Sequence, residues 1–347
     1  APLIYDRHDR RSLEAVWKYL VLSSVGIALA LLAVFLLSTA QPLVPGTRSL
    51  VLEDLVAGAK TLDPRWLRAA FVFAIVGFGT KMGLAPMHTW KPDTYGEAPS
   101  LVGALMAGGV TSCAFLGLAR FTQVLVAAGL DRFTGPLLVT FGLVSLVVAA
   151  AFIIGQADVK RLLAYSSVEH MGLLALGLGL GGVGTYGAVL HVLNSGLVKG
   201  LLFLVVGNVV LAAGSSAAVD VRGMLRARPV SAMLLVVGLF AATGSPPFGL
   251  FLSEFLIINA AFAQQHPLVA TLALVLLAVI FVGIARMILE IVLGEPPPDN
   301  LREGDRPWMV AGPLVLAALV LLLGLYLPPP LHEQLGRAAA ALGGVSP

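Results

Sequence analysis

Cysteine occurs once in the 347 residues, and charged side chains make up only 12% of them. The lone thiol, Cys113, cannot close an intrachain disulfide, and an iron–sulfur cluster normally takes four thiolates. No redox centre, cofactor or metal is therefore expected, the more so because no histidines recur at metal-ligand spacing. The shortage of charge excludes a whole class. Soluble domains are roughly 25% charged and roughly 45–50% apolar, whereas the hydrophobic set here reaches 58%. So few charges could not cover a water-soluble globule of this size. Lipid needs no polar cover, and apolar runs of about 20 residues are long enough to span it. The net charge of +3 is small and gives no reason to invoke nucleic acid. The opening APLIYDRHDRRSLEA has neither an initiator Met nor the basic, apolar, small-residue order of a signal peptide, and reads as a cut end.

Nine apolar stretches of spanning length lie between polar punctuation, at 15–39, 67–90, 100–124, 134–156, 164–181, 184–213, 229–262, 268–293 and 308–328. Spanning segments must satisfy their own backbone hydrogen bonds, and these lack the alternation of barrel strands, so all nine are expected to be helices. The fold class is an all-α polytopic membrane protein. Nine crossings put the N-terminal segment on one side, with the connections after the second, fourth, sixth and eighth stretches. That side holds twelve Lys and Arg, including Arg7, Lys91, Lys160, Arg228 and Arg302, against seven opposite, including Arg48. The richer side is predicted to be cytoplasmic, with the C-terminus outside.

Three cations, Lys81, Lys199 and Arg286, fall inside the stretches. A cation at the bilayer centre costs at least roughly 2.5–3.5 kcal/mol on insertion scales, so it usually faces a partner, a cavity or an ion route. Arg286 is near the end of its stretch and reads as a snorkelling side chain. Lys199 is too central for that.

Two stretches carry internal breaks. The second runs through Gly83 to Pro86 with Lys81 close by, and the seventh is interrupted by Gly244, Pro246 and Pro247, with Glu254 following. Proline removes a backbone donor and glycine permits the bend. A kink for packing would explain one such break, but unwound segments also line ion sites in transporters, and here both have an ionisable neighbour. The sixth stretch adds a polar stripe: His191, Ser195 and Lys199, at i, i+4 and i+8, span about 12 Å of one helix face. Alone, the histidine could be a satisfied core residue. As a set, the stripe has relay geometry: desolvation opposes an amine's charge and a carboxylate favours it, so a changing distance between them can load or release a proton. Trp90, His88 and Asp93 read as an interfacial anchor, and Asp158, Lys160 and Arg161 as an ordinary charged turn.

GFGTKMGLAPMHTWKPDTYGEAPS, ADVKRLLAYSSVEHMG, HVLNSGLVKGLLFLVVGN and GLFAATGSPPFGLFLSEF, in that order, resemble the antiporter-like membrane subunits shared by complex I, Mrp cation/proton antiporters and membrane-bound hydrogenases. The GTK, AYSSVEHMG and GSPPFGLFLSEF wording is most similar to the hydrogenase-4 component F form. The resemblance covers nearly the whole chain. It implies a fourteen-helix fold with two inverted five-helix repeats, of which the nine stretches match the sixth to fourteenth helices, so that about five N-terminal helices are missing. It divides the chain into 1–125, the remainder of the first repeat, 126–294, the second repeat, and 295–347, a C-terminal helix and tail. It also implies roles: Lys81 the pumping lysine of a first half-channel, Lys199 the central lysine of a second, His191 a relay between them, Glu254 an exit carboxylate. Ser112 and Ser195 depart from the pattern, standing where many relatives carry a bridging Lys or His and a second His. A hydroxyl joins a water wire but stores no charge.

The expected function is a proton-translocating membrane subunit of a redox-driven complex in a bacterial or archaeal plasma membrane, with other membrane subunits as partners and no substrate chemistry of its own. A Mrp-type cation/proton antiporter subunit, with sodium as a candidate ion, and a non-pumping structural subunit remain alternatives. An intramembrane hydrolase is least favoured, because His191 has no evident nucleophile or orienting carboxylate.

Overall fold

The computed structural model describes residues 2–5, 9–42, 49–295 and 304–345. Arg7, Arg48 and Arg302, used in the charge count, lie outside the described residues. In chain order the helices are α1 (Arg10–Thr39), α2 (Leu52–Ala57), α3 (Pro64–Met82), α4 (Trp90–Glu97), α5 (Ser100–Leu105), α6 (Thr111–Ala127), α7 (Asp131–Ile153) and α8 (Val159–Leu180). They continue as α9 (Val183–Ala213), α10 (Met224–Ala227), α11 (Pro229–Ala242), α12 (Gly249–Ala263), α13 (Pro267–Leu293), α14 (Pro307–Leu325) and α15 (Pro329–Ala341). Among the described residues there is no β-sheet, only two isolated bridges.

Among the described residues, seven helical segments are long and apolar enough to cross a membrane, or eight if a pair bent by 115° around Arg228 counts as one. Pro229 disfavours helical geometry in the residue before it, which accounts for that bend. The seven match seven of the nine expected stretches; the other two are those read as broken. α3 stops at Met82, with Gly83 in the left-handed region at φ +79°, and α11 and α12 are separated by residues 243–248. α5 and α6 form one span, joined by a π turn at Met106–Val110 that the sequence reading did not anticipate.

Helix starts follow the capping residues. Asp9 accepts from the backbone of Ser12 at α1, Asp63 precedes Pro64 at α3, and Asp158 accepts from the backbone N–H groups of Lys160 and Arg161 at α8. Each satisfies donors that a helix N-terminus leaves open.

Burial sorts the helices into an inner and an outer set. The apolar window of α8 is 94% buried within the protein, against 22% for α1 and α13 and 17% for α14. α8 is surrounded by α4, α7, α9 and α12. The outer helices expose large apolar side chains such as Phe35, Leu268 and Leu322, which suits lipid and not water. α7 meets α8 through glycines: a Cβ on Gly142 would sit 2.7 Å from the carbonyl oxygen of Gly172, and one on Gly172 would sit 2.8 Å from that of Gly142. Small residues allow such backbone approach where lipid supplies no hydrophobic drive for association.

Gly172→Leu is therefore expected to cost about 1–3 kcal/mol through overpacking, read as a lowered thermal midpoint in detergent, while Leu272→Ala on the exposed face of α13 leaves that midpoint close to wild type.

Candidate functional site: a buried polar array across three helices

α8, α9 and α12 bring together the polar groups of the interior. On α8, Ser166, Glu169 and His170 share a face at i, i+3 and i+4. α9 faces them with His191, Asn194, Ser195 and Lys199, all buried. The Lys199 ammonium donates to Ser166 Oγ at 2.7 Å, and that hydroxyl donates to Glu169 Oε2 at 3.1 Å. Amine and carboxylate are thus joined through one hydroxyl, and the low dielectric that makes an unpaired charge costly strengthens each bond along the chain.

A second line of contacts runs towards the break in α11–α12. His170 Nδ1 lies 3.1 Å from His191 Nε2, and His191 Nδ1 lies 2.9 Å from Ser253 Oγ. The Ser253 hydroxyl spends its proton on the carbonyl of Leu250 at 2.9 Å. It must therefore accept from His191, which makes Nδ1 the protonated nitrogen of that ring. His191 Nε2 is then the acceptor, and His170 donates through Nδ1. His170 Nε2 is left as a bare lone pair, buried and without a partner. Glu254 closes the line: one nitrogen of each ring and one of its carboxylate oxygens all lie within 4.8 Å of one another, and its Oε1 is also unpartnered.

The break shapes this end. Gly244, at φ +60°, lies against the Glu254 carboxylate, where any Cβ would collide with it. At Gly249, the first residue of α12, a Cβ would sit 2.5 Å from Asn194 Oδ1. Pro246 and Pro247 occupy the exposed part of the interruption. Asn194 is therefore pressed to the uncapped start of α12, and neither polar atom of its side chain has a partner.

Of the other expected site residues, Lys81 and Ser112 lie apart from this array. Lys81 is half-buried; its ammonium donates to the Tyr19 hydroxyl at 3.1 Å and stands 4.8 Å from the centre of that ring. It lines an almost wholly apolar groove of about 690 Å³ between α1, α3 and the α5–α6 span, with Cys113 on the opposite wall. Ser112 bonds the carbonyl of Gly108 in its own helix, and Ser195 that of Val192. Among the described residues, no direct hydrogen bond ties Lys81 or Ser112 to Lys199.

Three surface readings need correction. Trp90 is fully buried and its indole donates to the carbonyl of Thr80 at 2.7 Å, so it is not an interfacial anchor. Lys91, counted among the connection's cations, is fully buried and donates to the carbonyl of Met82 at 2.8 Å. Together they satisfy carbonyls that the break at Gly83 leaves open, and the cation lies at a helix C-terminus, where the dipole favours it. Lys160, 3% exposed, reaches the carbonyl of Ala98 at 2.6 Å. Asp158 is the cap of α8, and Asp93 is bridged by Lys18 at 2.8 Å and Arg161 at 2.6 Å. Arg286 is exposed on α13.

Glu169 and His170 were missed. Their signal was present: AYSSVEHMG places a carboxylate and an imidazole within an apolar stretch, and an intramembrane ionisable group of either sign is a functional pointer.

Spanning helices interrupted at two places, with an amine, two carboxylates and two imidazoles sealed among them, define an antiporter-like integral membrane subunit. A family model described as NADH:quinone oxidoreductase/Mrp antiporter, transmembrane, matches residues 2–281, and the chain belongs to that family. It is 36% identical over 336 residues to the hydrogenase-4 component F homolog of Methylacidiphilum infernorum, covering 95% of this chain and 69% of that one. To hydrogenase-4 component B of Escherichia coli it is 30% identical over 349 residues, covering 93% of this chain and about half, 51%, of the relative. Its fold is similar to a chain of the membrane-bound sulfane sulfur reductase, an archaeal respiratory membrane complex, with TM-score 0.88, 26% identity, and coverage of 99% of this chain and 69% of that one. For respiratory complex I from Thermus thermophilus the values are 0.84, 26%, 99% and 72%. The chains of the sulfane sulfur reductase and of complex I are parts of respiratory complexes.

Removing the Glu169 carboxylate leaves the Ser166 hydroxyl without its acceptor and the Lys199 ammonium without the nearby buried counter-charge. Glu169→Leu is expected to cost about 1–3 kcal/mol, and the double variant Glu169→Leu/Lys199→Met less than the sum of the singles, both read from thermal unfolding in detergent.

Proposed function

We propose that the chain is a proton-translocating membrane subunit of a redox-driven complex of the hydrogenase-4 or complex I kind. The observation that carries this reading is the buried array itself: Lys199, Ser166 and Glu169 on one side, and His170, His191, Ser253 and Glu254 on the other. Titratable groups sealed among lipid-facing helices are costly to keep and mark ion routes. Electron transfer in partner subunits would alter the electrostatic field at Lys81 and then at Lys199. The amine would exchange its proton with Glu169 through Ser166 and with the imidazoles through water. Glu254, beside Gly244 in the interruption, would discharge it. The chain supplies no substrate chemistry; coupling is by charge displacement.

Protons are the proposed ion, because imidazole and hydroxyl contacts accept and donate hydrogen and are poor ligands for sodium, which favours carboxylate and carbonyl oxygen. The excess of Lys and Arg puts the N-terminal side in the cytoplasm and the C-terminal side outside. Residues 1–125, 126–294 and 295–347 are proposed as the remainder of a first repeat, a second repeat, and a terminal helix with its tail. Lys81 is proposed to serve the first half-channel; Ser112 and Ser195 would support water between the halves and hold no charge themselves.

In proteoliposomes holding the complete complex, Lys199→Ala is expected to lower the proton-to-electron stoichiometry while electron transfer continues, and Glu254→Gln to do the same. An undiminished stoichiometry in Lys199→Ala would refute the reading.

A further inference from the structure

The two imidazoles and the carboxylate at the end of the array are arranged for more than passing a proton. His170 Nδ1 and His191 Nε2 are 3.1 Å apart. Two nitrogens bound to one tetrahedral Zn²⁺ at roughly 2.0–2.1 Å stand about 3.3 Å apart, nearly the same spacing. One nitrogen of each ring and a Glu254 oxygen fall within 4.8 Å of one another, all from buried residues. Two His and one Glu is a donor set that suits Zn²⁺ and leaves a fourth position open. We propose that His170, His191 and Glu254 form a binding site for a divalent transition-metal ion of the Zn²⁺ type, taken up from solution, whose occupancy arrests the proton route.

Three observations support it beyond spacing. His191 already makes the outer contact that such ligands need: its Nδ1–H is held by Ser253 Oγ at 2.9 Å, which turns Nε2 into the site as a lone pair. The buried Glu254 Oε1 has no partner in the protein, and His170 would bind through Nδ1 once its ring proton has moved to Nε2, which is also without a partner. Both rings are wholly buried, whereas Glu254 keeps 8% exposure and lies against Gly244 in the interruption, so the carboxylate is the least enclosed of the three ligands. The ion would also meet charge beside it: Lys199 opposes it, and Glu169, joined to Lys199 through Ser166, offsets that opposition. Binding would hold the lone pairs that proton transfer needs. The three ligands come from α8, α9 and α12, which is why no metal spacing shows along the sequence.

The arrest rests on the proposed proton route, but the site does not, so binding is read directly. Titration calorimetry of ZnCl₂ into the full chain in detergent is expected to give one ion per chain. Ser253→Ala, which removes only a hydroxyl, should weaken binding by about 10–100-fold, and His170→Ala and Glu254→Gln by at least as much. His266→Ala and His332→Ala, both at exposed positions, should leave it unchanged. Absence of binding to the wild type, or an affinity unaltered in Ser253→Ala and Glu254→Gln at unchanged thermal midpoints, would overturn the site. In the complete complex, Zn²⁺ should inhibit proton translocation in the wild type, with inhibition shifted at least tenfold in Ser253→Ala. Zn²⁺ binding at these ligands together with normal pumping by Lys199→Ala would overturn the proton route and leave the metal site standing.

Discussion

Lipid offers no hydrogen bonds, so every polar atom released by an interrupted helix must find its partner inside the protein. That constraint organises the interior. At the first interruption Trp90 and Lys91 turn inward to the carbonyls of Thr80 and Met82, while the backbone N–H of Ala85 goes to Ser145 Oγ at 2.9 Å. These side chains close the backbone of this break, while His88 Nδ1 within it stays without a partner. The second is closed only in part: Asn194 abuts the start of α12 with its amide unpaired, and Glu254 keeps an oxygen free.

The same logic explains why α8 is the most enclosed helix. It carries Ser166, Glu169 and His170 on one face and the glycines that admit α7 on another. A helix with a carboxylate and an imidazole cannot face lipid cheaply, so it is wrapped by others. α1, α13 and α14, which have little to satisfy beyond their own backbones, take the perimeter. Placement in the bundle follows polar content, and hydropathy sets α8 apart from these outer helices in the same way.

Composition and run length alone gave the class of fold, and glycine with proline located both interruptions, because these depend on local chemistry that each segment carries by itself. Lys199, His191 and Glu254 were legible for the same reason: each is an ionisable group where none is affordable. Glu169 and His170 carry the same signal within an apolar stretch. What could not be read was partnership. Nothing along the chain says that Ser166 bridges Lys199 to Glu169, thirty-three positions from its amine, or that Lys91 and Trp90 serve carbonyls and not the membrane surface. Those facts depend on which helix faces meet. The π turn, too, leaves no unambiguous mark, as Gly108 fits an ordinary close approach to α9.

That π turn sets the azimuth of everything beyond it. A regular α-helix advances 100° per residue, and a single-turn π bulge accommodates one residue more than the helix around it. Were Met106–Val110 to relax into α geometry, α6 would swivel by about that angle against α5, carrying Ser112 and Cys113 round the span. The turn abuts Gly196 on α9, three residues before Lys199. One peptide group of slack thus separates two phases of the wall that runs from the groove beside Lys81 to the interior.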